Sequence, residues 1–181
     1  GVLVSEDALF LRAAIGSAMP LAAVNPQCFE VPLAPPLAAA KEGRSVDWSA
    51  IEAGWKALAG SVPVVVEGVG GLFSPVAEGM TNLDLARMTG LPVWVVVPAR
   101  LGMIHQAVAT IGAAKAHGIR PAAFVVNGVS AEHPDWRWDE GEIARATGVP
   151  CAGRVPRIRA DLLAKPETLS THPDMQTWLD V

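Results

Sequence analysis

Three side chains with chemistry to offer stand just beyond short apolar runs: Glu67 after Val64-Val65-Val66, Arg100 after Val93 to Val97, and Asn127 after Ala122 to Val126. A continuous β-branched run predicts a strand buried on both faces, and in an open parallel sheet ligands bind outside the carboxyl ends of the strands. A carboxylate, a guanidinium and a carboxamide are thereby expected on one edge. Glu67 suits direct or water-mediated coordination of Mg²⁺, and Gly68-Val69-Gly70-Gly71 lets a backbone pass close to a phosphate chain. The same placement also fits a surface acid ahead of a turn. Asn127 offers donors and an acceptor to the Watson–Crick edge of a base, or else opens a turn before Gly128. Arg100, with the free N–H groups where Leu101-Gly102 begins a helix, makes an anion site suited to a carboxylate. Ordinary helix entry beside a solvated arginine is the alternative.

Other reactive types are less well placed. His105 lies one turn into that helix, where a ligand contact and a structural role are both open. His117 before Gly118 suits the helix C-terminus. The six tryptophans form no base-stacking set, Trp136 and Trp138 being expected on a loop edge, and there is no Tyr. No Ser-His-Asp arrangement has sequence support. Cys28 and Cys151 lie far apart with no His or Cys at ligand spacing, which argues against zinc and for a reducing cytoplasm.

The elements that must position these groups alternate. Ser5 caps a helix that opens with Glu6 and Asp7 and ends at Gly16. Pro20, Pro26, Pro32, Pro35 and Pro36 predict an extended, helix-free loop from 20 to 36. Asp47 caps a helix with Ile51, Trp55 and Leu58 on one face. Strands are expected at 64–66, 93–97, 122–126 and 150–155. Helices are expected from Asn82 to Thr89 before Gly90, from about Ile104 to Gly118, and over 139–147. Such alternation means right-handed crossovers and a mostly parallel α/β sheet with helices on both faces, here in a single domain over 1–181. Ala107, Ala109, Gly112, Ala113 and Ala114 permit close packing of the long helix, in the core or across a dimer axis.

The 181 residues are 51% hydrophobic and 18% charged, enough for a proper core and unlike a disordered tail. The net charge of −4 is scattered without a basic stripe, which excludes a nucleic-acid partner. The longest uncharged stretch, from Arg12 to Glu30, is broken by Pro20, Asn25, Pro26 and Gln27, so no membrane span is expected. Neither end reads as a signal peptide, and the chain opens at Gly1 without Met.

Taken together, these motifs resemble those of dethiobiotin synthetase, in the family's order and over nearly the whole chain. Asp7-Ala8-Leu9 resembles its Asp-Ala-Leu helix. Val24-Asn25-Pro26 through Phe29, then Pro32 to Pro36 and Glu42-Gly43-Arg44, are similar to its proline-rich substrate loop and the segment after it. Val66-Glu67-Gly68-Val69-Gly70-Gly71-Leu72 resembles its Val-Glu-Gly-Ala-Gly-Gly turn. Leu91-Pro92-Val93 to Leu101-Gly102-Met103-Ile104 is similar to its next strand and helix start. Val126-Asn127 and Gly153-Arg154-Val155-Pro156 resemble its adenine-side segments.

The resemblance implies a P-loop NTPase-like fold, ATP and Mg²⁺ as cofactors, and a cytoplasmic homodimer. It places the metal ligands and catalytic carboxylates at Asp7 and Glu67, and nucleotide contacts along Glu67, Gly68, Val69 and Gly70. Asn127 and Gly128 would read adenine, with Pro156, Arg157 and Ile158 as the other wall. Arg100, Leu101, Gly102, Met103 and Ile104 would take the carboxylate of diaminopelargonic acid at the dimer interface. The implied reaction joins CO₂ to that substrate through a carbamate and a carbamic-phosphoric anhydride.

There are departures. Met103-Ile104-His105-Gln106 stands where the family often has Cys-Ile-Asn-His, and Pro36 where a His is common. The family's N-terminal strand, its Gly-x-x-x-x-Gly-Lys-Thr loop and the Lys on the next strand have no counterpart, and no Gly-Lys-Ser/Thr occurs in the sequence. The chain by itself is therefore expected to be inactive and to leave sheet edges unpaired. The rival readings are a non-catalytic nucleotide-binding relative, or a subunit that completes its site with a partner chain. A ring- or amide-forming ligase akin to the cobyrinic acid amidases is weakened by the lack of a Cys nucleophile with His support.

Overall fold

The computed structural model describes residues 3–129 and 136–158. They gather into two compact units, Gly1–Leu91 and Pro92–Val181, each taken by itself.

The first unit opens with helix α1 (Glu6–Ala14), where the Ser5 hydroxyl accepts from the Ala8 N–H at 3.2 Å. Gly16, at φ 59°, turns the chain away as expected. The proline-rich stretch is not helix-free. It holds the short α2 (Leu21–Val24), and α3 (Pro35–Lys41) begins on Pro35-Pro36 itself. Proline at a helix's first positions has no N–H to waste and a φ already set for the helix, so those two residues start an element rather than forbid one. Helix α4 (Trp48–Leu58) is capped by Asp47, whose carboxylate accepts from the Ala50 N–H at 3.1 Å.

The strand expected at Val64-Val65-Val66 is not formed. The segment has no regular secondary structure and pairs with nothing among the described residues, and Val65 is 97% exposed. β-Branched side chains favour extended backbone, but only a neighbouring chain can supply the ladder that makes a strand. The chain forms instead a small antiparallel hairpin, β1 (Pro75–Ala77) and β2 (Met80–Thr81), leading into α5 (Asn82–Thr89). Gly90 closes α5 in the left-handed conformation. Helix α3 packs on β1, and Ala38, Ala39, Val76 and Ala77 are all buried.

The second unit is a three-stranded parallel sheet in the order β3 (Val93–Pro98), β4 (Pro121–Val129), β5 (Cys151–Pro156). The crossovers are α6 (Met103–Ala116) and α7 (Trp136–Thr147). Helix α7 begins three residues before the expected 139, so Trp136 and Trp138 belong to a helix rather than a loop edge. Val97, Phe124 and Val126 of the sheet close on Met103, Ala107 and Ile111 of α6 and on Ile143 of α7 in one buried cluster. Both crossover helices therefore cover the same face. On the opposite face of β3, Trp94 and Val96 are 53% and 64% exposed. Among the described residues no helix is long and apolar enough to cross a membrane.

Candidate functional site

In the second unit the register brings the expected strand ends together. Pro98 stands beside Asn127 and Asn127 beside Val155, so β3, β4 and β5 end level with one another. The Ala99 N–H donates to the Asn127 carbonyl at 2.8 Å, and the Arg157 N–H to the Val129 carbonyl at 2.8 Å. These bonds hold the chain entering α6, Asn127-Gly128 near the end of β4 and the Pro156 to Ile158 segment along one edge. The Asn127 side chain is exposed there, its backbone carbonyl already used, and in place of the turn expected before it Gly128 forms a bulge within β4, at φ 80°.

The entry to α6 divides the five residues assigned to substrate. Arg100 and Leu101 are exposed, and Gly102 is the N-cap at φ 88°, a conformation that favours glycine. The Met103 side chain, by contrast, is 1% exposed and part of the core, and its N–H donates to the Arg100 carbonyl at 3.0 Å. Ile104 also packs against the core. The Met103 side chain thus anchors the helix start, and Ile104 packs half-buried beside it. Among the described residues the N–H groups of Gly102, Ile104 and His105 find no backbone acceptor, as the first turn of a helix requires. The Arg100 guanidinium reaches Gln106 Oε1 at 3.5 Å.

In the first unit Glu67 is exposed on the unpaired segment before the glycine-rich turn, and Asp7 is exposed in the first turn of α1. Neither carboxylate belongs to any ion pair among the described residues. No group of three or more His, Cys, Asp or Glu able to hold a metal occurs there. Mg²⁺ asks for less, since it is commonly held by one or two carboxylates together with nucleotide phosphates and water. Glu67 and Asp7 each offer an exposed, hard oxygen donor of the kind such a metal takes.

Sequence reasoning missed the residues that shape this turn. The Asn82 side chain accepts from the Val69 N–H at 3.2 Å and donates to the Val69 and Gly71 carbonyls at 2.8 and 2.7 Å. Ser74 Oγ accepts from the Gly71 N–H at 2.9 Å. An amide and a hydroxyl flanking a Gly-rich turn were the available signal, but their targets are backbone atoms that no spacing rule identifies. The proline-rich segment is tied down in a similar way. Gln27 and the Asp47 backbone exchange two hydrogen bonds of 2.8 Å. Arg44 donates to the Cys28 carbonyl at 2.9 Å and to Glu42 at 2.6 Å, with its guanidinium 4.8 Å from the Phe29 ring centroid.

The model of the AAA domain family matches residues 1–162. With its parallel sheet and crossover helices, the chain is an α/β protein of the P-loop NTPase type. Its relatives are more specific. The ATP-dependent dethiobiotin synthetase of Anaeromyxobacter sp. (strain Fw109-5) is 41% identical over 84% of this chain and 70% of its own length. That of Aromatoleum aromaticum is 38% identical over 87% and 71%, and that of Gloeobacter violaceus 41% over 85% and 68%. The chain belongs to the dethiobiotin synthetase family. Among solved structures, the MinD cell division protein of Aquifex aeolicus aligns with 46% of this chain and 38% of its own, at 20% identity and a TM-score of 0.37.

Proposed function

We propose that this protein closes the ureido ring of dethiobiotin from diaminopelargonic acid, CO₂ and ATP. The observation that carries the reading is the 41% identity to a dethiobiotin synthetase over 84% of the chain. The level strand ends of β3, β4 and β5 support it.

One substrate amine attacks CO₂ and loses a proton, giving a carbamate. A carbamate oxygen attacks the γ-phosphorus of ATP, releasing ADP and leaving a carbamic-phosphoric anhydride. The second amine attacks the carbonyl carbon, expels phosphate and closes the ring. Such a sequence depends mostly on positioning and charge neutralisation.

The chain's residues divide that work. Arg100 and the free N–H groups of Gly102, Ile104 and His105 orient the substrate carboxylate. Asn127 and Gly128 hold the adenine edge, with Pro156, Arg157 and Ile158 as its wall. Glu67 and Asp7 hold Mg²⁺, which when bound offsets charge on the transferring phosphoryl group. The backbone from Glu67 to Gly70 lines the phosphates. Exposed Ala109 and Gly112 leave one side of α6 open to a second copy, in keeping with a homodimer. Residues 1–181 act in this reading as parts of one catalytic domain, in a cytoplasm that keeps the free thiols Cys28 and Cys151 reduced.

The test supplies the protein with diaminopelargonic acid, bicarbonate and MgATP. Formation of dethiobiotin is expected. A protein that binds MgATP but forms no dethiobiotin would instead be a non-catalytic relative.

A further inference from the structure

Asn82 is the first residue of α5, yet its side chain turns back onto a segment more than ten positions earlier. It satisfies both backbone polar groups of Val69 and the carbonyl of Gly71. Around it the turn is closed by the Gly71 N–H on Ser74 Oγ, the Asn82 N–H on the Ser74 carbonyl at 3.2 Å, and the Leu83 N–H on the Leu72 carbonyl at 3.0 Å.

The same side chain explains a glycine that conformation does not. Gly70 has φ +78°, which favours glycine by itself, but Gly68 is not in the left-handed region. A Cβ on Gly68 would stand 2.5 Å from Asn82 Oδ1 and 2.9 Å from its Cγ. Glycine is required at 68 because Asn82 occupies the space.

We propose that Asn82 is the positioning residue of the nucleotide-facing turn, setting the affinity for Mg-nucleotide by fixing the backbone that comes after Glu67. The inference rests on the assignment of that turn to the nucleotide. An amide is suited to the task, because one planar group both accepts and donates. Without that amide an exposed, glycine-rich turn would sample more conformations, and binding would have to select among them. The Asn82 amide is taken up by the backbone of Val69 and Gly71, so its effect should fall on nucleotide affinity and leave the chemical step alone.

The test uses the full-length gene product and three variants, N82A, G68A and the double variant. In each, MgATP affinity is read by calorimetry, steady-state constants by dethiobiotin formation, and backbone order by exchange of the Val69 amide. N82A should weaken MgATP about tenfold, the size expected from losing a few net hydrogen bonds. Its kcat and its KM for diaminopelargonic acid should stay within about threefold of wild type, and the Val69 amide should exchange faster. G68A should weaken MgATP comparably when Asn82 is present and add less than about twofold to N82A, since removing the amide removes the clash.

Unchanged MgATP affinity in N82A overturns the proposal. So does a G68A effect of the same size in both backgrounds, or a loss in N82A confined to kcat. A wild type that forms no dethiobiotin but binds MgATP defeats the functional reading alone, and the affinity ratios still decide the role of Asn82. A wild type that binds no MgATP overturns both.

Discussion

Arg154 meets Glu140 because β5 bulges at Ala152, one residue more than β4 has between the pairings on either side. Phe124 stands beside Cys151, but Val125 stands beside Gly153, so Ala152 is extra and the side chains beyond it change faces. Arg154 then falls level with Val126, on the side covered by α7, and its Nε and Nη2 donate to the two carboxylate oxygens of Glu140 (Nη2 at 2.8 Å). The Glu140 side chain is only 10% exposed and that of Arg154 43%.

Removing Arg154 would leave a nearly buried carboxylate without its fork. Arg154→Ala should therefore destabilise the fold by about 1–2 kcal/mol, below the cost of breaking a fully buried pair because the guanidinium is partly solvated. Urea unfolding monitored at constant m checks this. The double variant E140A/R154A should cost less than the sum of the single changes, and strict additivity would mean that the two groups do not interact.

Glu67→Gln should lower Mg²⁺-dependent dethiobiotin formation by ~10²-fold or more, since a neutral amide does not replace a metal-binding carboxylate. Asp7→Asn should behave alike. Both residues are exposed, so neither change should move the melting temperature appreciably. Turnover within a few-fold of wild type in both variants would remove these carboxylates from the metal.

If Arg100 and the N–H groups opening α6 bind the substrate carboxylate, an analogue lacking it should bind worse by ~1.5–3 kcal/mol, the range for charge-assisted hydrogen bonds. Arg100→Ala should narrow that gap. Calorimetry with both ligands on both proteins gives the comparison, and equal affinity in the wild type would put the carboxylate elsewhere.

Acid should loosen two helix starts in the first unit. The Thr81 N–H and hydroxyl donate to Asp84 at 2.9 and 2.8 Å, which lowers the carboxyl's pKa. Asp47 is lowered by the Ser49 hydroxyl and then by the Ala50 N–H. A carboxylate whose folded pKa lies below its unfolded value, about 3.9, contributes fully above that pH and loses its contribution as pH falls through the folded value. Stability should drop between pH 5 and 3 for the wild type (roughly the window this linkage sets) and drop less for D47N/D84N. Parallel urea midpoints for the two proteins across that range would refute the assignment.

Much of the local order was readable from residue types alone. Ser5 and Asp47 cap the helices expected of them, and the alternation from Val93 onward gives β3-α6-β4-α7-β5 with Arg100, Asn127 and Pro156 at the strand ends. Caps and hydrophobic period act over a few residues, so their signal survives in a linear text. Other features exist only between distant segments. Val64-Val65-Val66 has the composition of a strand and stays unpaired, because a strand needs a neighbour that propensity cannot supply. Met103, read as a substrate contact, is turned into the core by the packing of α6 on the sheet. Asn82 closes on Val69 and Gly71 through their backbone atoms, and those atoms are the same in every residue. A sequence distinguishes side chains, so it leaves such a contact unmarked until folding brings the two segments together.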